Sequence, residues 1–330
     1  MLRYQNMLCR YDTRALKCQD IFSVHGFPVG LIQCENNLLG IPKVGSGGFR
    51  HFVEKYIRAK EYCLKPYEVV VQGGRKRQVY THGEHIEAKF ATTLSKLDTA
   101  NAYLLAEDSS IMEIPPNTLD GVFTDPPYFD NVQYAELMDF CYVWLRQLLA
   151  EEDPAFTKPS TRNPRELTGN VTFGRGVNEF TEGLSAVFHR MAIGLKEGAP
   201  LVFTYHHKSV EAYLPLIVAI LDAGLKCTDT LAVPAEMTAS LHIKGTSSSI
   251  IDSIFVCRKG KEISLSDHRP LPDCIEEDVA AIRAAGIRIT AGDVICMTLG
   301  HLSRMTIRSL STSWNRELLT EERLNRARNE

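Results

Sequence analysis

The chain has 330 residues, 44% of them hydrophobic, enough for an ordinary globular protein with one large core or two smaller ones. Its 37 Lys and Arg against 40 Asp and Glu give a formal net charge of −3, so overall charge does not mark a nucleic-acid binder and any basic surface has to be local. Nine cysteines without a CxxC pair exclude a zinc ribbon and a secreted disulfide scaffold and predict reduced, buried thiols in a cytoplasmic protein. The start lacks a charged-then-apolar leader and no apolar run reaches the roughly 20 residues of a membrane span, so no membrane association is expected.

Residues 1–100 read as a less regular region that can serve DNA or partner contact. A helix is predicted from about Phe49 to Cys63, after Gly45-Ser46-Gly47-Gly48, and Tyr67 to Val71 with Gln78 to Thr81 flank Gly73-Gly74 as a β-hairpin. The densest basic run, Arg75-Lys76-Arg77, lies there; a solvated surface is the plain reading of such a run.

From Tyr103 onward, short apolar runs alternate with amphipathic stretches, which predicts an α/β core over 101–260: a parallel sheet with helices on both faces. The strands are expected at 102–106, 120–124, 199–205, 226–233 and 250–257, and the helices at 132–150, 178–197 and 209–223. Tyr134 to Leu145 is apolar on most faces, which predicts a well-buried helix. Between Glu151 and Asn178, a polar segment with three prolines and three glycines is too long for a routine connection and reads as a mobile or substrate-contacting loop. Residues 261–330 read as a helical extension, with helices near 275–285, 291–310 and Leu318 to Arg328, the last with the closely spaced charges of a solvent-facing end. Cys141, Cys227 and Cys257 read as packing residues.

The chemistry concentrates at Gly121-Val122-Phe123-Thr124-Asp125-Pro126-Pro127-Tyr128, where a strand ends at the position in which open α/β sheets place ligands. An exocyclic amine is a poor nucleophile because its lone pair is delocalised into the ring; two fixed acceptors on its hydrogens localise that pair. The Asp125 carboxylate is one acceptor and the Pro126 carbonyl the other, stiffened by Pro127. Tyr128 offers a plane on which an extruded base stacks, with Phe129 as a second wall. Direct methyl transfer from a sulfonium needs no metal, and no metal-ligand cluster is expected.

Upstream, Ala106-Glu107-Asp108-Ser109 and Ile114-Pro115-Pro116 lead into the motif strand. The stretch is similar to the amino-methyltransferase pattern of an acidic strand end, a short helix and a strand closing in Asp-Pro-Pro-Tyr. Thr124 to Leu145, with Phe129-Asp130-Asn131 and the aromatic helix that follows, resembles the large prokaryotic adenine-specific DNA methylases whose N-terminal region is a domain of unknown function. The likeness extends through Leu201 to Lys208 and Gly245 to Ser249 and covers roughly 100–260. It implies a Rossmann-like methyltransferase sheet, S-adenosyl-L-methionine as cofactor and DNA as substrate. It assigns Asp108, with Ser109 and Asp125 beside it, to the cofactor, Asp125 to Tyr128 to the target amine, and Asn131 to a helper role.

The same families hold the cofactor's methionine part with a Phe-x-Gly-x-Gly loop and its ribose with an acidic residue one strand later. Neither is present in convincing form; Val44 to Phe49 is the nearest, without a strand before it. The chain therefore resembles the C-terminal half of a larger enzyme, with an incomplete sheet whose open edge asks for a second polypeptide carrying the glycine loop. His206 and Lys208, at a strand end, are candidates for phosphate or cofactor contact, and Lys244 with Thr246 to Ser248 reads as a polar loop that can meet a nucleic-acid backbone. N6-adenine methylation leads; cytosine N4 methylation, a non-catalytic nucleic-acid-binding subunit, and methylation of RNA or a glutamine side chain stay open.

Overall fold

The computed structural model describes residues 9–12, 17–20, 49–72, 75–81, 89–91, 93–97, 101–129, 132–170, 174–235, 249–260 and 269–330. The chain divides into two compact units, Met1–Ala106 and Glu107–Glu330. Val44 to Gly48, Asp130, Asn131 and Lys244 to Ser248 lie outside the described residues.

In the first unit, β1 (Cys9–Asp12) pairs antiparallel with β2 (Lys17–Asp20). Helix α1 (Phe49–Leu64) repeats Phe49, Phe52, Val53, Tyr56 and Ile57 at helical spacing, yet none of its residues is buried. After Pro66, β3 (Tyr67–Gln72) and β4 (Arg75–Tyr80) form the hairpin that the glycine pair predicts, with Tyr67 opposite Tyr80. A short parallel pair, β5 (Lys89–Phe90) with β6 (Asn101–Ala102), closes the unit. Of the strand expected over 102–106, only Ala102 is in a strand: beyond it the backbone finds no ladder partner among the described residues.

The second unit holds a mixed four-stranded sheet in the order β7 (Val122–Thr124), β8 (Pro200–Tyr205), β10 (Ile251–Arg258), β9 (Lys226–Pro234). Only β7 and β8 run parallel; β10 is antiparallel to both its neighbours, which corrects the all-parallel expectation. Apolar periodicity reports burial, not strand direction, so the sequence could not distinguish the two.

Burial alternates strictly along β8 and β10. Leu201, Phe203 and Tyr205 share one face with Ser253, Phe255 and Cys257, and Phe203 stacks on Phe255 with ring centroids 5.1 Å apart. Helices α3 (Val177–Gly194), α4 (Leu214–Asp222), α5 (Leu271–Ala284) and α6 (Ala291–Leu310) cover this face. Gly300 lets α6 approach closely: a Cβ there would meet the Ser253 hydroxyl at 2.4 Å. Asp293 fixes the start of α6, accepting from its own Thr290 cap and from Ser249 Oγ and Ile250 N. The opposite face carries Phe123, Val202, Ile254 and Leu231, with Phe123 78% and Leu231 47% exposed. These four helices therefore lie on one face only, not on both.

Helix α2 (Tyr134–Leu149) overturns a second expectation, since only Ala135 and Tyr142 are buried along its 16 residues and Trp144 is 63% exposed. Its apolar character predicts burial but not what would cover it. Cys141 on this helix is likewise exposed, whereas Cys227 and Cys257 are buried as expected of packing residues.

Within the polar segment after α2, residues 158–166 hydrogen-bond back to that helix. Glu166 caps α2, its Oε1 accepting from Ala135 N at 2.9 Å. Asp139 accepts from Ser160 Oγ, Thr161 N and Thr161 Oγ1, and Tyr142 donates to the Lys158 carbonyl at 2.8 Å. These bonds hold the Asp139 carboxyl below its usual range, the Thr161 backbone bond first among them.

The C-terminal helices belong to the same unit as the sheet. In α7 (Thr320–Asn329), expected to face solvent, Arg323, Leu324 and Ala327 are buried, because Arg323 pairs with Asp222 of α4 and with Glu182 of α3. Among the described residues no helix is long and apolar enough to cross a membrane.

Candidate active site

Strands β7 and β8 run side by side in the same direction, with Thr124 opposite Phe203, so their carboxyl ends lie together. Thr204 therefore stands next to the chain leaving β7, on the face opposite Phe203 and Tyr205. Its hydroxyl donates to Asp125 Oδ1 at 2.6 Å, and Tyr128 donates to the same oxygen at 3.2 Å. Asp125 is exposed, and among the described residues nothing donates to its Oδ2 or to the Pro126 carbonyl. One carboxylate oxygen is anchored and the other is left available.

Pro126 is buried and Pro127 half-buried, which immobilises the turn. The Tyr128 ring meets Tyr205 edge-on at 5.3 Å, and burial, then the charges of Asp252 and Asp125, push its hydroxyl above the usual tyrosine range. Tyr128 thus stays protonated and able to donate to Asp125. Phe129 packs edge-on against Phe180 at 5.2 Å and joins the hydrophobic core, so its ring serves packing as well as any role as a wall.

Asp108 sits in a tight turn. Its Oδ1 accepts from Ser110 Oγ at 2.6 Å and Ser110 N at 2.9 Å, and its Oδ2 pairs with Arg165 at 3.2 Å. The Ser110 bonds, with Arg165 adding to them, hold this carboxyl below its ordinary range. Ser109 is exposed beside it. Arg165 comes from the polar segment after α2, which reaches this acidic residue as well as the start of the helix.

His206 is half-buried, with Nδ1 2.9 Å from the Ile251 carbonyl and 3.3 Å from Asp252. Its polar contacts are to β10 and to Cys296 of α6, not to Asp125. Burial by itself pushes the imidazole pKa down; Asp252, Cys296 and the Ile251 carbonyl outweigh it and lift the pKa to about 10. A raised pKa means that the charged pair contributes fully below the ordinary histidine value of about 6.5 and that its contribution is lost as pH rises through about 10. NMR of the imidazole is therefore expected to show no titration between pH ~6 and ~8, and Asp252→Asn to bring the midpoint back toward ~6.5; a wild-type midpoint near 6.5 would contradict the pairing. Lys208 is exposed at the strand end.

No protein-family model, curated protein or solved structure matches the chain. The site is therefore read from its own geometry.

Thr204, Asp252 and Arg165 are the contributors that sequence patterns miss. Thr204 is signalled only by alternation, as the one hydroxyl residue between Phe203 and Tyr205. Asp252 and Arg165 reach their partners through tertiary contacts that no local pattern encodes. Among the described residues no group of three or more His, Cys, Asp or Glu is arranged to hold a metal ion.

Proposed function

We propose that this chain is the acceptor-activating part of an S-adenosylmethionine-dependent DNA methyltransferase that modifies the N6 amine of adenine. Cytosine N4 is the alternative target, served by the same two acceptors. The observation that carries the reading is the Asp125 carboxylate directly after β7, with one oxygen fixed by Thr204 and Tyr128 and, among the described residues, no donor to the other oxygen or to the carbonyl of the next residue, Pro126.

In this reading Asp125 Oδ2 and the Pro126 carbonyl accept the two hydrogens of an extruded amine. Both stand on a rigid turn, so little reorganisation accompanies the reaction. The amine lone pair is directed away from the ring as its hydrogens are held, and the proton shed after transfer leaves toward Asp125 or solvent. The ionised Asp108 carboxylate, with Ser109 next to it, would hold the adenine part of the cofactor, which supplies an electrophilic methyl on a sulfonium. Asp108 Oδ2 would exchange its exposed Arg165 partner for the amino group of that cofactor adenine.

No described residue is assigned to the methionine part. The reading therefore includes a second polypeptide that brings the glycine-rich loop and extends the β7–β8–β10–β9 sheet into a Rossmann-like methyltransferase sheet. Two features support it: among the described residues β7 has a strand neighbour on one side only, and Phe123 on β7 is largely uncovered.

The test is methyl transfer from labelled S-adenosylmethionine to DNA by the chain together with a polypeptide from a neighbouring reading frame that carries such a loop. Nucleoside mass spectrometry is expected to find N6-methyladenine. N4-methylcytosine would move the target; DNA binding without transfer would make the chain a non-catalytic binding subunit.

A further inference from the structure

We infer that α1 and the β3–β4 hairpin form a docking surface for a nucleic-acid duplex. The charge of the chain is unevenly placed. Over residues 49–81, five cations from Arg50 to Lys65 and the run Arg75-Lys76-Arg77 face only Glu54, Glu61 and Glu68, a net +5 in a chain whose total is −3. The partner that complements this segment is a polyanion.

The shape narrows the class. The hairpin is a two-stranded antiparallel ribbon of six residues a side, and every side chain of β4 is exposed. A two-stranded ribbon whose β4 is exposed throughout is marginal by itself, and a duplex major groove is wide enough to admit one. Arg75 and Arg77 point to one side of β4 and Lys76 to the other. Cations on both sides suit a ribbon that lies between two phosphate backbones; a membrane surface would engage one side alone.

The ribbon is connected to the helix before it. Tyr62 at the end of α1 meets Tyr67 edge-on at 5.2 Å, and Tyr67 meets Tyr80 at 5.9 Å, so the aromatic line ties α1 to both strands of the ribbon. Lys55 and Lys60 lie over the Phe52 and Tyr56 rings of the same helix, which keeps their charge on an aromatic surface. Insofar as the bound duplex is the DNA on which Asp125 acts, the inference rests on the function proposed above; the surface itself does not.

The experiment is anisotropy titration of a short fluorescent duplex with the full chain over a range of salt, comparing wild type with Arg75→Ala/Lys76→Ala/Arg77→Ala. The triple variant is expected to bind at least about tenfold more weakly at ~0.15 M salt, with a log–log salt slope shallower by about 2–3. Arg75→Lys/Arg77→Lys, which keeps the charge, is expected to bind like wild type. Unaltered affinity and slope in the triple variant would overturn the inference. So would a wild-type chain that binds vesicles of phosphatidylserine and phosphatidylcholine but not the duplex. Circular dichroism of the triple variant is expected to match wild type, because the substituted side chains are exposed; a lost fold makes the charge-retaining pair and the wild-type salt slope decide. Salt-sensitive duplex binding without methyl transfer would sink the enzymatic reading and leave the surface standing; transfer by the triple variant at an unchanged KM for DNA would do the reverse.

Discussion

Asp125→Ala is expected to lower methyl transfer by about 10²–10³-fold while leaving the far-ultraviolet spectrum and duplex affinity unchanged. That magnitude is typical for removing one preorganised polar group from the point at which charge develops. Asp125 is exposed, and its carboxylate supports no part of the core, so loss of activity by unfolding is not anticipated. Asp125→Asn keeps the shape and the Thr204 bond but turns the free oxygen into a donor facing the amine, and is expected to be nearly as defective. Thr204→Val, which removes the shortest bond to Asp125 and little volume, is expected to cost between tenfold and about 10²-fold in kcat with KM for DNA held, since misplacing a catalytic group by ~1 Å has that effect. Thr204→Ser should recover most of it. Wild-type turnover in Asp125→Ala would end the assignment of the amine acceptor; a Thr204→Ser variant as poor as Thr204→Val would point to packing, not positioning.

The sequence carries what is local and periodic. The pairing of β3 with β4, the strand leading into Asp125 and the alternation in β8 and β10 are legible because each is set within a few residues by local residue chemistry or by side-chain direction. Pairing partners are not local. The direction of β10 and the restriction of α3 to α6 to one face depend on contacts between residues far apart in the chain. Helix α2 is the clearest case: its apolar residues predict a cover, and the structure leaves Trp144 and Leu148 exposed. The acceptor side of the site was half legible. Asp125-Pro126-Pro127-Tyr128 stands out by chemistry, but the hydroxyl that fixes Asp125 lies 79 residues away, and only the β7–β8 register brings it there.

The largest effect on stability is expected at Asp222, a buried carboxylate at the end of α4 that joins four elements of the fold. Its Oδ2 accepts from Ser185 Oγ at 2.9 Å and pairs with Arg323, while Oδ1 accepts from Trp314 Nε1 at 2.9 Å. Replacing Asp222 by Ala removes three partners and leaves the buried Arg323 guanidinium with Glu182, a half-exposed carboxylate, as its remaining ion-pair partner. Removing one member of a buried pair costs about 3–5 kcal/mol, and the residual Glu182 contact argues for the lower end, about 3 kcal/mol. Denaturant unfolding should register this as a lower midpoint with an unchanged slope. The double variant Asp222→Asn/Arg323→Met, which removes both charges and nearly keeps side-chain volume, should recover much of the loss, because the cost lies in the unpaired cation more than in the missing attraction. If Asp222→Ala unfolds at the wild-type midpoint, α7 is not held by this charge cluster, and its buried Leu324 and Ala327 must suffice to dock the C-terminal helix on α3 and α4.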